Sequence, residues 1–167
     1  DEIVEVIKKY KGGWDKLGNC IKVRDSNFTP NEKETYKYIE LADIGNNGEI
    51  IGCTENIGME LPSRARRKVK FNDLVVSSIE GSLDKIALIP KEYDSALCST
   101  GFYVLYSDKI NSESLLVYLK SLTGQLQLKK GCSGTILTAL NKNELERIII
   151  PTISDKLQNG IKSKVVE

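Results

Sequence analysis

Residues 61–82, "LPSRARRKVKFNDLVVSSIEGS", set five cations, Arg64, Arg66, Arg67, Lys68 and Lys70, directly ahead of an apolar run. Strand alternation over this stretch puts Arg64, Arg66, Lys68 and Lys70 on one side and Arg67, Val69 and Phe71 on the other. The apolar residues that follow predict a strand over 69–79, rich in β-branched residues and closed by Ser and Gly. Other short segments of the same kind occur at 85–89, 102–106 and 148–150, and Asn47-Gly48, between two apolar segments, is a hairpin signal.

Helical patterns lie between and around these strands. Ile3, Ile7 and Tyr10 recur at helical spacing before Gly12-Gly13 stops them, and "NSESLLVYLKSL" buries Leu115, Leu119 and Leu122 behind an Asn111 or Ser112 cap. "NKNELERI" offers Asn141 as a cap with Glu144 three residues on, and 154–167 repeats Leu157, Ile161 and Val165 every four positions. "WDKLGNCIKV" (14–23) reads as a strand or an extended entry. Many short strands with interspersed helices, lacking regular βαβ alternation, predict an α+β fold, a single mixed domain of mainly antiparallel strands. Trp14, Leu41, Val75, Val76, Phe102 and the "LLVYL" helix are expected in its core.

A length of 167 residues with 40% hydrophobic content suits one domain. No run of about 18 apolar residues and no secretory leader is visible, so a cytoplasmic protein without a membrane partner is expected. The chain opens on Asp1, and a segment of a larger polypeptide is the expectation. Net charge is only +1, yet residues 1–60 carry 8 Lys+Arg against 12 Asp+Glu and residues 61–167 carry 16 against 11. Such a split predicts a face that meets an anion.

Composition excludes several chemistries. There is no histidine, which removes Ser-His-Asp and Cys-His catalysis, and Cys20, Cys53, Cys98 and Cys132 lie far apart without a C-x-x-C pair. Ser133 in "GCSGT" misses the nucleophile elbow because Thr135 replaces its second glycine. Ser82 and Lys85 match S-x-x-K without the partner motifs of Ser-Lys hydrolases. Gly45 and Thr54 stand where a calcium loop needs ligands. No two glycines are separated by one residue, so no glycine-rich dinucleotide loop exists, and the Pro-Pro of amino-methylating enzymes is missing. No cofactor and no metal site are expected.

What remains is the basic strand. A solvated charged strand is one reading. Phosphate binding is the other, favoured by small polar residues and lysines in further loops: Ser77, Ser78, Ser82, Lys85, Lys129, Lys130, Ser133 and Thr135.

The order "WDKLGN", "YIELADI", "ARRKVKFNDLVVSSIEGSLDKIALI", "CSTGFYVL", "LLVYLKS" and "GCSGTILTALNKNELERIIIP" resembles the target-recognition domain of type I restriction-modification specificity (S) subunits, or the equivalent domain fused to an N6-adenine DNA methyltransferase. The resemblance spans roughly residues 14–166. It runs through Asn72–Ser77, Ser99–Phe102, Ser133–Thr135 and Ile148–Pro151, and it lies in order and spacing more than in any one motif. It implies sequence-specific binding of double-stranded DNA by a non-catalytic domain of a prokaryotic restriction-modification system. S-adenosylmethionine and the catalytic residues would sit on a partner methyltransferase, with a restriction subunit as a further partner. Residues 1–13 would then be a lead-in helix, 14–153 the recognition domain and 154–167 the start of a spacer or dimerisation helix. The family usually pairs two such domains, and this sequence holds one. A piece of a two-domain subunit, a half-length subunit that pairs with itself, and the recognition part of a fused methyltransferase all remain open. On this reading the basic strand tracks phosphates, with Arg64 and Arg67 the first residues expected to read bases. Rival classes are a protein-interaction module whose basic face meets an acidic partner, a small Ser82/Lys85 hydrolase, and an RNA binder, for which too few aromatics are gathered.

Overall fold

The computed structural model describes residues 2–132 and 139–166. Its elements, in chain order, are α1 (Glu2–Lys8), β1 (Trp14–Lys16), β2 (Lys22–Val23), β3 (Thr35–Ile39), β4 (Thr54–Ile57), β5 (Ala65–Lys68), β6 (Leu74–Ser77) and β7 (Ile86–Leu88). They continue as β8 (Leu97–Ser99), β9 (Phe102–Tyr106), α2 (Ser112–Lys120), α3 (Leu122–Gly131), α4 (Lys142–Glu146), β10 (Ile149–Pro151) and α5 (Asp155–Val166). Short 3-10 turns at Leu17–Asn19, Leu41–Asp43, Gly58–Glu60 and Lys91–Tyr93 punctuate them. The fold is α+β, rich in antiparallel pairing, as expected. Contacts divide the chain into two compact units, one of residues 1–22 with 107–167 and one of residues 23–106.

Most of the strands, β3 to β9, lie in the 23–106 unit. One four-stranded sheet has the order β2-β9-β6-β7, and the other the order β4-β3-β8-β5. Neighbours of β6 are antiparallel, with Val75 opposite Ala87 on one side and Val104 on the other. Flanked by hydrogen-bonded strands, β6 is buried at all four positions from Leu74 to Ser77. This is why its sequence is a continuous apolar run with no alternation. In the other sheet β3 pairs with β4 antiparallel and with β8 parallel, through Tyr38–Leu97 and Ile39–Cys98. A core of Ile39, Ile44, Val69, Val75, Ala87, Ile89, Ala96, Cys98, Phe102 and Val104 takes residues from both sheets.

Of the strand predicted over 69–79 only Leu74–Ser77 forms, as β6, while β5 ends before it at Lys68. The peptides of residues 70–73 turn the chain, with Asp73 N–H donating to Lys70 O at 3.0 Å and Asn72 at φ +70°. Asparagine tolerates this left-handed conformation better than most residues, so "FND" is a turn and not strand interior. The Asn47-Gly48 turn is present, with Gly48 at φ +82°, but its flanks join only through the bridge between Ile44 and Ile50.

In the other unit β1 pairs antiparallel with β10, Asp15 opposite Ile150. A two-stranded sheet leaves a face open, and Trp14, expected in the core, is 40% exposed with the Lys8 ammonium 5.4 Å from its ring. The α2 reading holds: Leu115, Leu116 and Leu119 are buried, and Asn111 Oδ1 accepts from Ser114 N at 2.9 Å. Leu122, expected among its buried residues, opens α3 instead and is exposed. Ser121 closes α2 and caps α3 by accepting from Gly124 N. Asn141 caps α4 through Glu144 N at 2.9 Å. Gln158 of α5, nearly buried, accepts from Asn111 N at 2.9 Å and its carbonyl accepts from Asn111 Nδ2 at 3.0 Å. Asn111→Ala should therefore cost about 2 kcal/mol, a lost cap plus a lost side-chain bond to α5, measured by urea unfolding.

Candidate functional site

The basic strand is shorter and less regular than alternation implies. β5 pairs antiparallel with β8, Ala65 opposite Ser99, Arg67 opposite Cys98 and Lys68 opposite Leu97, with a register shift between Ala65 and Arg67. This β-bulge leaves Arg66 as the extra residue and re-aims the side chains around it. Arg64, Arg66, Lys68 and Lys70 consequently do not form one even row.

Two of the five cations are occupied by their own fold. Arg66 Nε donates to Ser63 O at 3.0 Å and its Nη1 to Thr29 Oγ1 at 3.4 Å. Arg67 Nη1 donates to Arg24 O at 3.3 Å, while its Nε is buried without a hydrogen-bond partner. Arg67, expected to read bases, is thus largely inward and structural. Arg64, Lys68 and Lys70 are exposed. Arg64 keeps its guanidinium near Gly101, where a Cβ would meet Nη2 at 3.1 Å, and its carbonyl accepts from Thr100 N.

Beside β5 lies a groove of about 410 Å³ lined by residues 23–28 together with Lys68, Lys70 and Tyr106. Phe28 N–H donates to Arg66 O at 2.7 Å, which ties this loop along the strand. Arg24 is its anchor. Nε and Nη2 donate to the two carboxylate oxygens of Asp73 at 2.8 and 3.2 Å, and Asp73 is 1% exposed. The guanidinium stacks 4.0 Å from the Tyr106 ring centre, and the Lys68 ammonium stands 4.4 Å from that of Phe28. Asp73 also accepts from Lys70 N at 2.9 Å. A buried carboxylate beneath a cationic groove is stable here because three donors satisfy it. The Asp73 bond pushes the Arg24 guanidinium above its ordinary range.

The remaining expected residues are dispersed. Ser77 is fully buried, its hydroxyl 3.0 Å from that of Ser82 and accepting from Ile79 N, so it has no surface to offer a ligand. Ser78 donates to Gly101 O at 2.8 Å, and Ser82 to Ile79 O at 3.1 Å. Lys85 Nζ donates to Ile44 O at 3.2 Å. With the ammonium turned to a main-chain carbonyl and the Ser82 hydroxyl bonded locally, no Ser-Lys dyad is assembled. Lys129 and Lys130 are exposed on α3 of the other unit. Ser133 and Thr135 lie outside the described residues. Among the described residues no cluster of His, Cys, Asp and Glu could hold a metal ion, and no helix is long and apolar enough to cross a membrane.

Sequence reasoning missed Arg24, Asp73, Phe28 and Tyr106. Arg24 and Asp73 are 49 residues apart and meet only through the sheet. The charge field was misread too. Residues 23–106 carry 10 Lys+Arg against 13 Asp+Glu and the other unit 14 against 10, so the basic groove is a local patch in a net acidic unit.

The fold has close counterparts among solved structures. A chain solved in work on complex assembly and conformational transition of the type I R-M system matches at TM-score 0.78 and 26% identity, covering 92% of this chain and 40% of its own length. The HsdS subunit from Thermoanaerobacter tengcongensis matches at TM-score 0.78 and 25% identity, over 93% of this chain and 41% of that one. The S subunit of the type I restriction-modification system from M. genitalium, at TM-score 0.58 and 18% identity, shares the fold over 92% of this chain and 37% of its own. This chain spans about two fifths of the length of these proteins. No family model and no curated protein matches it.

Proposed function

We propose that this chain, which has the fold of type I restriction-modification S subunits, is a target-recognition domain that binds one part of a duplex DNA site and directs an adenine-N6 methyltransferase to it. The observation that carries the reading is the match to the HsdS subunit of Thermoanaerobacter tengcongensis across 93% of this chain. The cationic groove beside β5 supplies chemistry suited to it: ammonium groups of Lys68 and Lys70 for phosphates, with Arg24, Asn27 and aromatic edges beside them. Cofactor binding and methyl transfer fall to the methyltransferase partner, where S-adenosylmethionine would bind. A restriction subunit, and a second recognition domain or another copy of this chain, complete the assembly.

The test is selection of a randomised duplex library on the purified chain at low salt, repeated at higher salt. The expected result is enrichment of a few adjacent base pairs, the footprint of a single module. Retention without enrichment would reduce the groove to a generic basic surface. Failure to retain duplex DNA would sink the reading and move the protein-interaction module ahead.

A further inference from the structure

We infer that Arg24 is a specificity-determining residue of the groove: its guanidinium is a fixed donor aimed at an acceptor on a base edge, guanine first, while phosphate contact falls to Lys68 and Lys70 within the groove and to Arg64 outside it. The inference rests on the reading of the chain as a DNA-recognition domain and adds to it the residue that reads and the group that is read.

Three observations separate Arg24 from the other cations. The first is charge. Paired at 2.8 and 3.2 Å with a carboxylate that is 1% exposed, Arg24 is already neutralised. A neutralised cation displaces few counterions from a phosphate backbone and gains little there.

The second is rigidity. Arg24 N–H donates to Val104 O at 2.8 Å and Arg24 O accepts from Arg67 Nη1 at 3.3 Å, so both main-chain groups are held. Nε and Nη2 are held by Asp73, and the Tyr106 ring covers one face at 4.0 Å. A side chain fixed in this way loses little rotamer freedom on binding, which favours discrimination between bases.

The third is what remains available. Nη1 makes no hydrogen bond among the described residues, and the Arg24 side chain is 30% exposed on the groove it lines. A guanidinium only donates. In the major groove guanine presents N7 and O6, both acceptors, whereas cytosine presents an amino group that would leave Nη1 unsatisfied. Lys68, 4.4 Å from the Phe28 ring, and exposed Lys70 are single-point cations without that planar constraint and suit phosphates.

The experiment compares wild type with Arg24→Lys and Asp73→Asn in library selection and in salt titration of a fixed duplex. Arg24→Lys keeps a cation beside Asp73 but loses the planar fork. It should lower the preference at one guanine about 5–150-fold and leave the salt slope unchanged. Asp73→Asn should also lose that preference, while the released guanidinium steepens the slope by about 0.9. For wild type alone, methylation of a single guanine N7 in the selected duplex should block binding, a readout that needs no variant to fold. Preference retained at every position in Arg24→Lys would overturn the inference, as would a shallower slope with preference intact, which would make Arg24 a phosphate contact. Wild type that binds duplex without base preference overturns this inference but leaves DNA binding standing. Wild type that does not bind overturns both.

Discussion

Replacing Arg64, Lys68 and Lys70 together by alanine is expected to remove most of the salt-dependent part of duplex affinity. Five cations in seven residues invite a count of four or five phosphate contacts and a slope of log K against log salt of roughly −4. The structure lowers that count. Arg66 and Arg67 donate to carbonyls of their own chain, and Arg24 is matched by Asp73, which leaves three exposed cations at β5 and its ends. Three contacts give a slope of about −2.7, so wild-type affinity should fall about 40-fold between about 50 and about 200 mM salt. The triple variant should be nearly flat, and its deficit against wild type should shrink about 40-fold over the same range. Because the three side chains are exposed, the variant should melt with wild type. A variant as salt-sensitive as wild type would move the phosphate contacts away from β5, towards the net positive unit of residues 1–22 and 107–167.

The gap between the two slopes shows which information the sequence carries. Local features are legible in it. Asn111 and Asn141 cap the helices they precede, and the apolar run at 74–77 is the buried central strand of a sheet. These outcomes depend on residues within a few positions of one another, where propensity and capping act. The bulge at Arg66 is of another kind. It arises from the register of β5 against β8, some thirty residues away, and nothing in "RARRKVK" marks which residue is the extra one. The Arg24–Asp73 clamp depends on a contact across 49 residues, and the pairing of Trp14–Lys16 with Ile149–Pro151 joins segments far apart in the chain. Trp14 was misplaced for this reason, since its exposure follows from how few strands its sheet has. The turn at Asn72-Asp73 was legible and went unread because the apolar residues on either side look like one strand.

The same strand pair makes stability fall in alkali. Cys98 of β8, opposite Arg67, is a free thiol that is fully buried, and burial pushes its pKa from the ordinary 9.0 up to about 12. The Arg67 guanidinium pulls in the opposite direction without reversing the effect, and Asp73 adds to the rise. Between these values the native thiol keeps a proton that the unfolded chain releases. The unfolded state therefore binds fewer protons, and stability declines with rising pH at about 1.4 kcal/mol per unit. The contribution is complete below pH 9 and is lost as pH climbs towards 12, reaching about 4 kcal/mol. Cys98→Ala should lose about 1 kcal/mol at pH 8, where it leaves a small cavity, and should be the more stable protein above about pH 10. Tyr118, Cys20, Cys53 and Tyr93 also have pKa values raised chiefly by burial, but they titrate alike in both proteins and cancel in the difference; Tyr38, raised by burial and in part by Cys98, cancels only in its burial share. Denaturant titrations at intervals from pH 8 to 11, under reducing conditions, should show the two stability curves crossing. Parallel curves would mean that the thiol ionises without opening the β5–β8 pair. If the curves cross, the strand that carries Lys68 is paired to one whose buried thiol must stay neutral for the fold to hold.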